Sequence, residues 1–159
     1  MATNYEMPAP VRSAPPQRSE FRFWTEEKLR NADTDQFRHV NNAVISTFLE
    51  AARMDIFASP AIRLLMEGAN LAVVRLLIEF RHELFFPGRV EIGSAVMSVG
   101  TTSLRVRQSL FTPSSDVCAV SAEATCVLLN PQSGRAQPIG PQLRQYLLAA
   151  SDSEAHYDR

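Results

Sequence analysis

Lysine is almost missing from this chain: among 16 basic residues only Lys28 is lysine, and the rest are arginines. Arginine's planar fork suits carboxylates and phosphates, so local clusters matter more than the total. The total excludes something as well. With 17 acidic residues the net charge is -1, and no general attraction to nucleic acid is expected. No apolar run approaches the ~20 residues of a membrane span. The opening MATNYEMPAPVRSAPPQRSE lacks the continuous apolar core of a secretory signal, so the expected location is cytoplasmic.

Cysteine is scarce too. Cys118 and Cys126 match neither a zinc spacing nor a CxxC redox pair. They fall within one expected strand at even spacing, which predicts the same face and small buried side chains. A disulfide between them is not expected, because eight extended residues separate the α-carbons by roughly 26 Å.

What is present divides the chain into three parts. Residues 1–19 hold four of the 10 prolines and read as a disordered tail. Residues 20–150 carry the periodic segments of one domain, and 151–159 read as a flexible polar tail. The domain has room for a proper core. FRFWTEEKLR reads as a first strand. From Ala43 to Phe57, the apolar residues Val44, Ile45, Phe48, Leu49, Ala52 and Ile56 form one helical face. Asn41 or Asn42 is the natural cap, Pro60 a stop, and IRLLMEG a short second helical turn closed by Gly68. Three further extended segments and a fourth, DVCAVSAEATCVLL, follow. In NLAVVRLLIEFRHELFF the alternation sets Val74, Leu76, Ile78, Phe80, His82 and Leu84 on one face. PQLRQYLLAA closes the domain as a short helix. The expected architecture is α+β: an antiparallel sheet with one long helix packed across it.

The chemically suggestive stretch is DTDQFRHVNN, residues 33–42. Asp35 stands a short loop before the expected helix N-terminus, where free amides and the macrodipole favour negative charge. Those amides also suit an oxyanion, and a carboxylate beside them has the parts to hydrolyse an activated acyl group. The alternative for Asp35 is a plain turn or cap residue. Asp33 and Asp35 have a metal-like spacing, but further ligands at matching positions are missing, so no metal is expected. Leu76, Ile78, Phe48 and Phe57 belong either to the core or to an apolar acyl pocket.

DTDxxxHVNN, followed by a helix containing FLEAAR (Phe48 to Arg53), resembles the signature of hotdog-fold acyl-CoA thioesterases of the 4-hydroxybenzoyl-CoA thioesterase type. The likeness spans roughly residues 20–135 and includes LFFPGRV and VGTTSL. The resemblance implies a hotdog fold, an antiparallel β-sheet wrapped around one long α-helix. It also implies hydrolysis of an acyl-CoA thioester to a carboxylic acid and coenzyme A. Coenzyme A enters as part of the substrate, and no separate cofactor is implied. By position, Asp35 matches the catalytic carboxylate, as base or nucleophile, and Asn42 matches the carbonyl-positioning site at the helix start. His39, Val40 and Asn41 match the HVN turn, with His39 and Asn41 as its organisers. Substrate contacts fall to Val40, Arg81, Arg89, Gly100, Thr101, Thr102 and Ser103. The family assembles as homodimers or homotetramers with the site between subunits.

Three departures stand out. Arg38 replaces a glycine common before the histidine, which strains the loop if that position needs positive φ. Ile45 stands where many relatives carry tyrosine. Basic residues that some relatives use on the coenzyme A phosphates are absent at Gly100, Thr101 and Thr102, leaving Arg75, Arg81, Arg89, Arg105 or Arg107 to substitute. Arg38 and Ile45 keep open a non-catalytic acyl-thioester binding protein of the same fold. A dehydratase is disfavoured, because His39 lies in the wrong motif for it.

Overall fold

The computed structural model describes residues 14–113 and 115–149. The expectations for residues 1–13 and for the tail 151–159 lie outside the described residues. The elements are β1 (Phe23–Lys28), α1 (Asn42–Ala58), α2 (Pro60–Leu65), β2 (Asn70–Phe80), β3 (Arg89–Val99), β4 (Ser103–Phe111), β5 (Cys118–Leu129) and α3 (Pro141–Leu148). The strands form one antiparallel sheet in the order β1-β3-β4-β5-β2, with α1 packed on one face. This is the hotdog arrangement of the α+β class. Among the described residues no helix is long and apolar enough to cross a membrane.

The helix follows from its sequence. The Asn41 side chain accepts from the Ala43 amide at 2.8 Å, satisfying one of the donors a helix start leaves open. One face then buries Ile45, Phe48, Leu49, Ala52, Ile56 and Phe57. Phe48 and Leu49 pack with Val90 and Ile92 of β3, Leu110 of β4 and Val120 of β5 in a single apolar cluster. Burying each such side chain is worth about 1.5–3 kcal/mol, so this face decides how α1 lies on the sheet. Pro60 opens α2, where its missing N–H costs nothing. Gly68 takes φ 81 to return the chain to β2.

Arg53 also lies on the buried face, which the apolar periodicity did not include.

Two local irregularities change the expected faces. The β2–β5 register shifts between Val73 and Arg75, so Val73, not Val74, shares the helix-side face with Leu76 and Ile78. β2 then ends at Phe80, short of the expected run to Leu84. Beyond it, the Arg81 and His82 amides both donate to the Ala119 carbonyl. The second irregularity concerns the cysteines. In β4–β5, Leu110 pairs with Val120 and Phe111 with Cys118, leaving Ala119 as an extra residue. Directly opposite residues share a face, so Cys118 is turned away from the face of Cys126. Cys118 packs with Phe21 and Phe111, and Cys126 with Leu104 and Val106. Both thiols are buried and free, as expected, but not on one face.

On the outer face Phe21 lies directly over Gly93, where an added Cβ would stand 2.6 Å from the ring. Arg18 continues this strap. Its guanidinium pairs with Glu91 at 2.5 Å and stacks over Trp24 and Phe111, so residues just before β1 are anchored to the sheet.

Candidate active site

The segment DTDQFRHVNN folds as a closed turn. The Asp35 amide donates to the His39 carbonyl at 2.8 Å, and the Arg38 amide to the Asp35 carbonyl at 3.0 Å. Thr34 and Val40 form a bridge across its base. Asp35 Oδ1 accepts from the amides of Phe37 at 2.8 Å and His39 at 3.2 Å. Its Oδ2 has no hydrogen-bond partner among the described residues. One carboxylate oxygen therefore shapes the turn, and the other is left unbonded among the described residues. Arg38 adopts φ 68, so this position does require the left-handed conformation that glycine takes at least cost.

The two aspartates have different work. Asp33 is buried, and its carboxylate accepts from the Arg30 amide at 2.7 Å and from Arg30 Nη2 at 2.8 Å. Hydrogen bonding to Arg30 holds its pKa below the ordinary 3.8, against the opposing effect of burial. The Asp33 carbonyl accepts from the Asn41 amide at 2.8 Å, tying the turn to the helix cap. Asp33 is thus a structural anion. No group of His, Cys, Asp and Glu suited to a metal occurs among the described residues.

Segment 82–85 completes the site. The Val40 amide donates to the Leu84 carbonyl at 2.8 Å, and His39 forms a bridge with Phe85. These bonds set the turn against the end of β2 and leave a cleft of about 280 Å³ between them. Asp35, His39, Val40 and Asn42 all line it, together with Ile45, Phe80, Arg81, His82, Glu83 and Leu84. At the helix tip the Asn42 amide has no acceptor among the described residues. A free N–H, the positive end of a 17-residue helix and a partly exposed carboxylate therefore border one concavity.

A larger hollow of about 530 Å³ lies across the outer face, between Pro15, Pro16 and the sheet. Its charges are already matched: Arg107 pairs with Glu20 at 2.9 Å, and Arg105 with Glu123 at 2.7 Å. It borders no α-helix terminus, and its Ser121 hydroxyl donates to Glu79 at 3.0 Å, so size does not make it the reactive site.

The remaining expected site residues are distributed differently. Asn41 caps the helix and does not line the cleft. Arg81 does line it, but its guanidinium bonds Ser121 Oγ and Glu79, each at 2.8 Å. Arg89 pairs with Glu26 near the β1 edge, opposite β2 in the sheet. Gly100, Thr101, Thr102 and Ser103 make the β3–β4 turn. Ser103 sits opposite Val127 of β5, whereas Phe80 sits opposite Val120. Seven strand residues, about 23 Å, separate those levels, so within the chain this turn is not brought to Asp35. Phe48 and Phe57 are core, and Leu76 is exposed on the edge strand. The apolar lining of the cleft is Val40, Ile45, Phe80 and Leu84. Sequence reasoning missed Glu83 at this site. Its only signal was its proximity to the turn after β2, which means nothing until the turn docks.

The fold and this site are those of a hotdog-type protein with a polar turn at its helix tip. The thioesterase-like superfamily profile matches residues 29–147, well over half of the chain, and the chain belongs to that superfamily. Several solved structures are similar. A Thermus thermophilus thioesterase complexed with coenzyme A and Zn is 26% identical, with TM-score 0.71 over 85% of this chain and 98% of that one. A predicted thioesterase from Bacillus stearothermophilus is 23% identical, with TM-score 0.70 over 79% and 92%. A DHNA-CoA thioesterase from Staphylococcus aureus is 18% identical, with TM-score 0.64 over 73% and 79%. No curated protein matches the chain.

Proposed function

We propose that the protein hydrolyses acyl-CoA thioesters to the free acid and coenzyme A, in the manner of the 4-hydroxybenzoyl-CoA thioesterase type. The observation that supports this most is the shared cleft, which puts Asp35 and the Asn42 amide on one concavity. The thioester carbonyl oxygen takes the Asn42 N–H as donor, where the helix terminus stabilises the charge formed on attack. Asp35 Oδ2 acts as base on a water molecule or as the nucleophile itself. Thiolate is a good leaving group, so no serine or cysteine nucleophile is required. The acyl group rests on Val40, Ile45 and Leu84.

The working form in this proposal is a homodimer, or a tetramer built from it. β2 is an edge strand carrying Leu76, Leu77 and Phe80 at 37%, 49% and 40% exposure. An apolar edge of this kind favours pairing with a second copy. Phe80 also lines the cleft, so a partner covering this edge walls its open side.

The test is thiol release from a panel of acyl-CoA esters by wild type, Asp35→Asn and Asp35→Ala. Asparagine keeps a side-chain oxygen for the Phe37 and His39 amides, so Asp35→Asn removes the charge while preserving the turn. A loss of about a hundredfold or more in Asp35→Asn supports the proposal. Unchanged rates in both variants remove Asp35 from the mechanism. No release from any ester favours the alternative, a binding protein of the same fold.

A further inference from the structure

The cleft holds a pair of groups that the hydrolytic proposal leaves unused. His39 Nδ1 stands 3.6 Å from Glu83 Oε1, and both residues line the cleft that Asp35 borders. The imidazole is also held from its sides. Its ring meets Phe85 edge-on at 5.2 Å and lies 6.3 Å from the ring of Phe37. Its backbone is fixed on Asp35 Oδ1 and in the bridge to Phe85. Groups from two separate segments therefore surround the ring. No described residue hydrogen-bonds Nε2, the nitrogen on the other side of the ring.

A histidine in this setting has its two nitrogens assigned different tasks, because the partner of one decides what the other presents. We infer that Glu83 is a positioning residue, holding Nδ1–H of His39 so that Nε2 exchanges the proton with the departing sulfur. This rests on the proposed thioester hydrolysis. In the step, water oxygen bonds to the carbonyl carbon as Asp35 takes one of its protons. The adduct then collapses: the C–S bond breaks and its electron pair leaves on sulfur. Protonated His39 donates Nε2–H to that sulfur, giving the thiol, and is left neutral with its remaining proton on Nδ1 against Glu83. The proton held by Asp35 returns through solvent to Nε2, restoring both groups. Glu83 keeps the same contact before and after the transfer, which is what a positioning group must do.

The Glu83 side chain is 63% exposed. An exposed pair of this kind contributes little to folding, so its removal is readable as function. The experiment uses the full chain with hexanoyl-CoA and benzoyl-CoA. Glu83→Ala is expected to lower kcat about tenfold with KM within about twofold, since ground-state binding does not need the proton. Glu83→Gln, whose side-chain oxygen keeps an acceptor beside Nδ1, restores kcat to within about threefold of wild type. In a His39→Ala background Glu83→Ala changes nothing further, because the group it positions is gone. Equal rates for wild type and Glu83→Ala overturn the inference, as does an undiminished Glu83 effect in the His39→Ala background. A readout independent of turnover is the ring tautomer, followed by nitrogen NMR of neutral His39. Nδ1–H in wild type, giving way to Nε2–H in Glu83→Ala, supports the pairing. Nε2–H in wild type overturns it. If no ester is hydrolysed, the thioesterase proposal fails on its own, and the tautomer still decides the pairing.

Discussion

The guanidinium of Arg53 reaches the side-chain oxygen of Gln108 at 2.7 Å inside the core, where both residues are buried. Gln108 is held in turn by donating to the Leu49 carbonyl at 3.0 Å and to Ser94 Oγ at 3.1 Å. No carboxylate forms an ion pair with Arg53 among the described residues, and burial pushes its pKa down. The amide oxygen of Gln108 is thus a main compensation for a buried cation. Gln108→Leu strands that charge and is expected to cost about 2–3 kcal/mol. Arg53→Met removes the charge and retains the apolar stem, so its loss is the smaller of the two. Urea unfolding of both variants checks this order; a larger loss for Arg53→Met contradicts it.

Arg38 carries positive φ on an exposed turn. Replacing it with glycine removes a Cβ penalty of about 1–2 kcal/mol, partly offset by glycine's greater freedom in the unfolded chain. The net expectation for Arg38→Gly is a gain of up to about 1 kcal/mol, and for Arg38→Val a loss of similar size. Chemical denaturation measures both. A destabilised glycine variant would mean that the guanidinium makes a contact worth more than the relieved strain.

Asp33 makes the stability acid-sensitive, and the sign follows from its lowered pKa. The folded state binds this proton less tightly than the unfolded chain, so the stabilisation is complete above the ordinary value of 3.8. It is lost as pH falls through the lower folded value. Asp33→Asn is therefore less stable than wild type near neutrality, and the gap narrows in acid. Unfolding midpoints at about pH 7 and about pH 3 test this. A constant gap would show that the cost is packing and not the carboxylate's charge.

Burial pushes both cysteine thiols up, Cys118 and Cys126 alike. The reactive species is the thiolate, so a disulfide reagent reads almost no thiol in the native protein and both after denaturation. The thiol-release assay therefore runs on a quiet background. Rapid labelling of the native chain would show that one of the two clusters opens.

Much of the site was legible because it is contiguous. Asp35, His39, Val40 and Asn42 fall within one short turn, so their nearness needs no tertiary fold, and the cap at Asn41 follows from local chemistry. The helix was legible for a similar reason: its apolar residues repeat at a local period. Glu83 and Phe80 were not, since only the docking of segment 82–85 against the turn brings them to the cleft. Gly100–Ser103 shows the converse, a segment expected near the substrate that the strand register carries to the far end of the sheet.

Periodicity in this chain determined which residues turn inward, as long as the period ran uninterrupted, and local hydrogen-bonding chemistry determined the polar turn and its cap. Only the tertiary structure decided the faces beyond each bulge. A single unpaired residue, at Val74 or Ala119, reverses the alternation, and nothing in a linear pattern marks where pairing will slip. The cleft was likewise a tertiary decision. It exists because two stretches far apart in sequence are hydrogen-bonded at Val40 and Leu84, and their contact energy depends on the sheet that holds one of them in place.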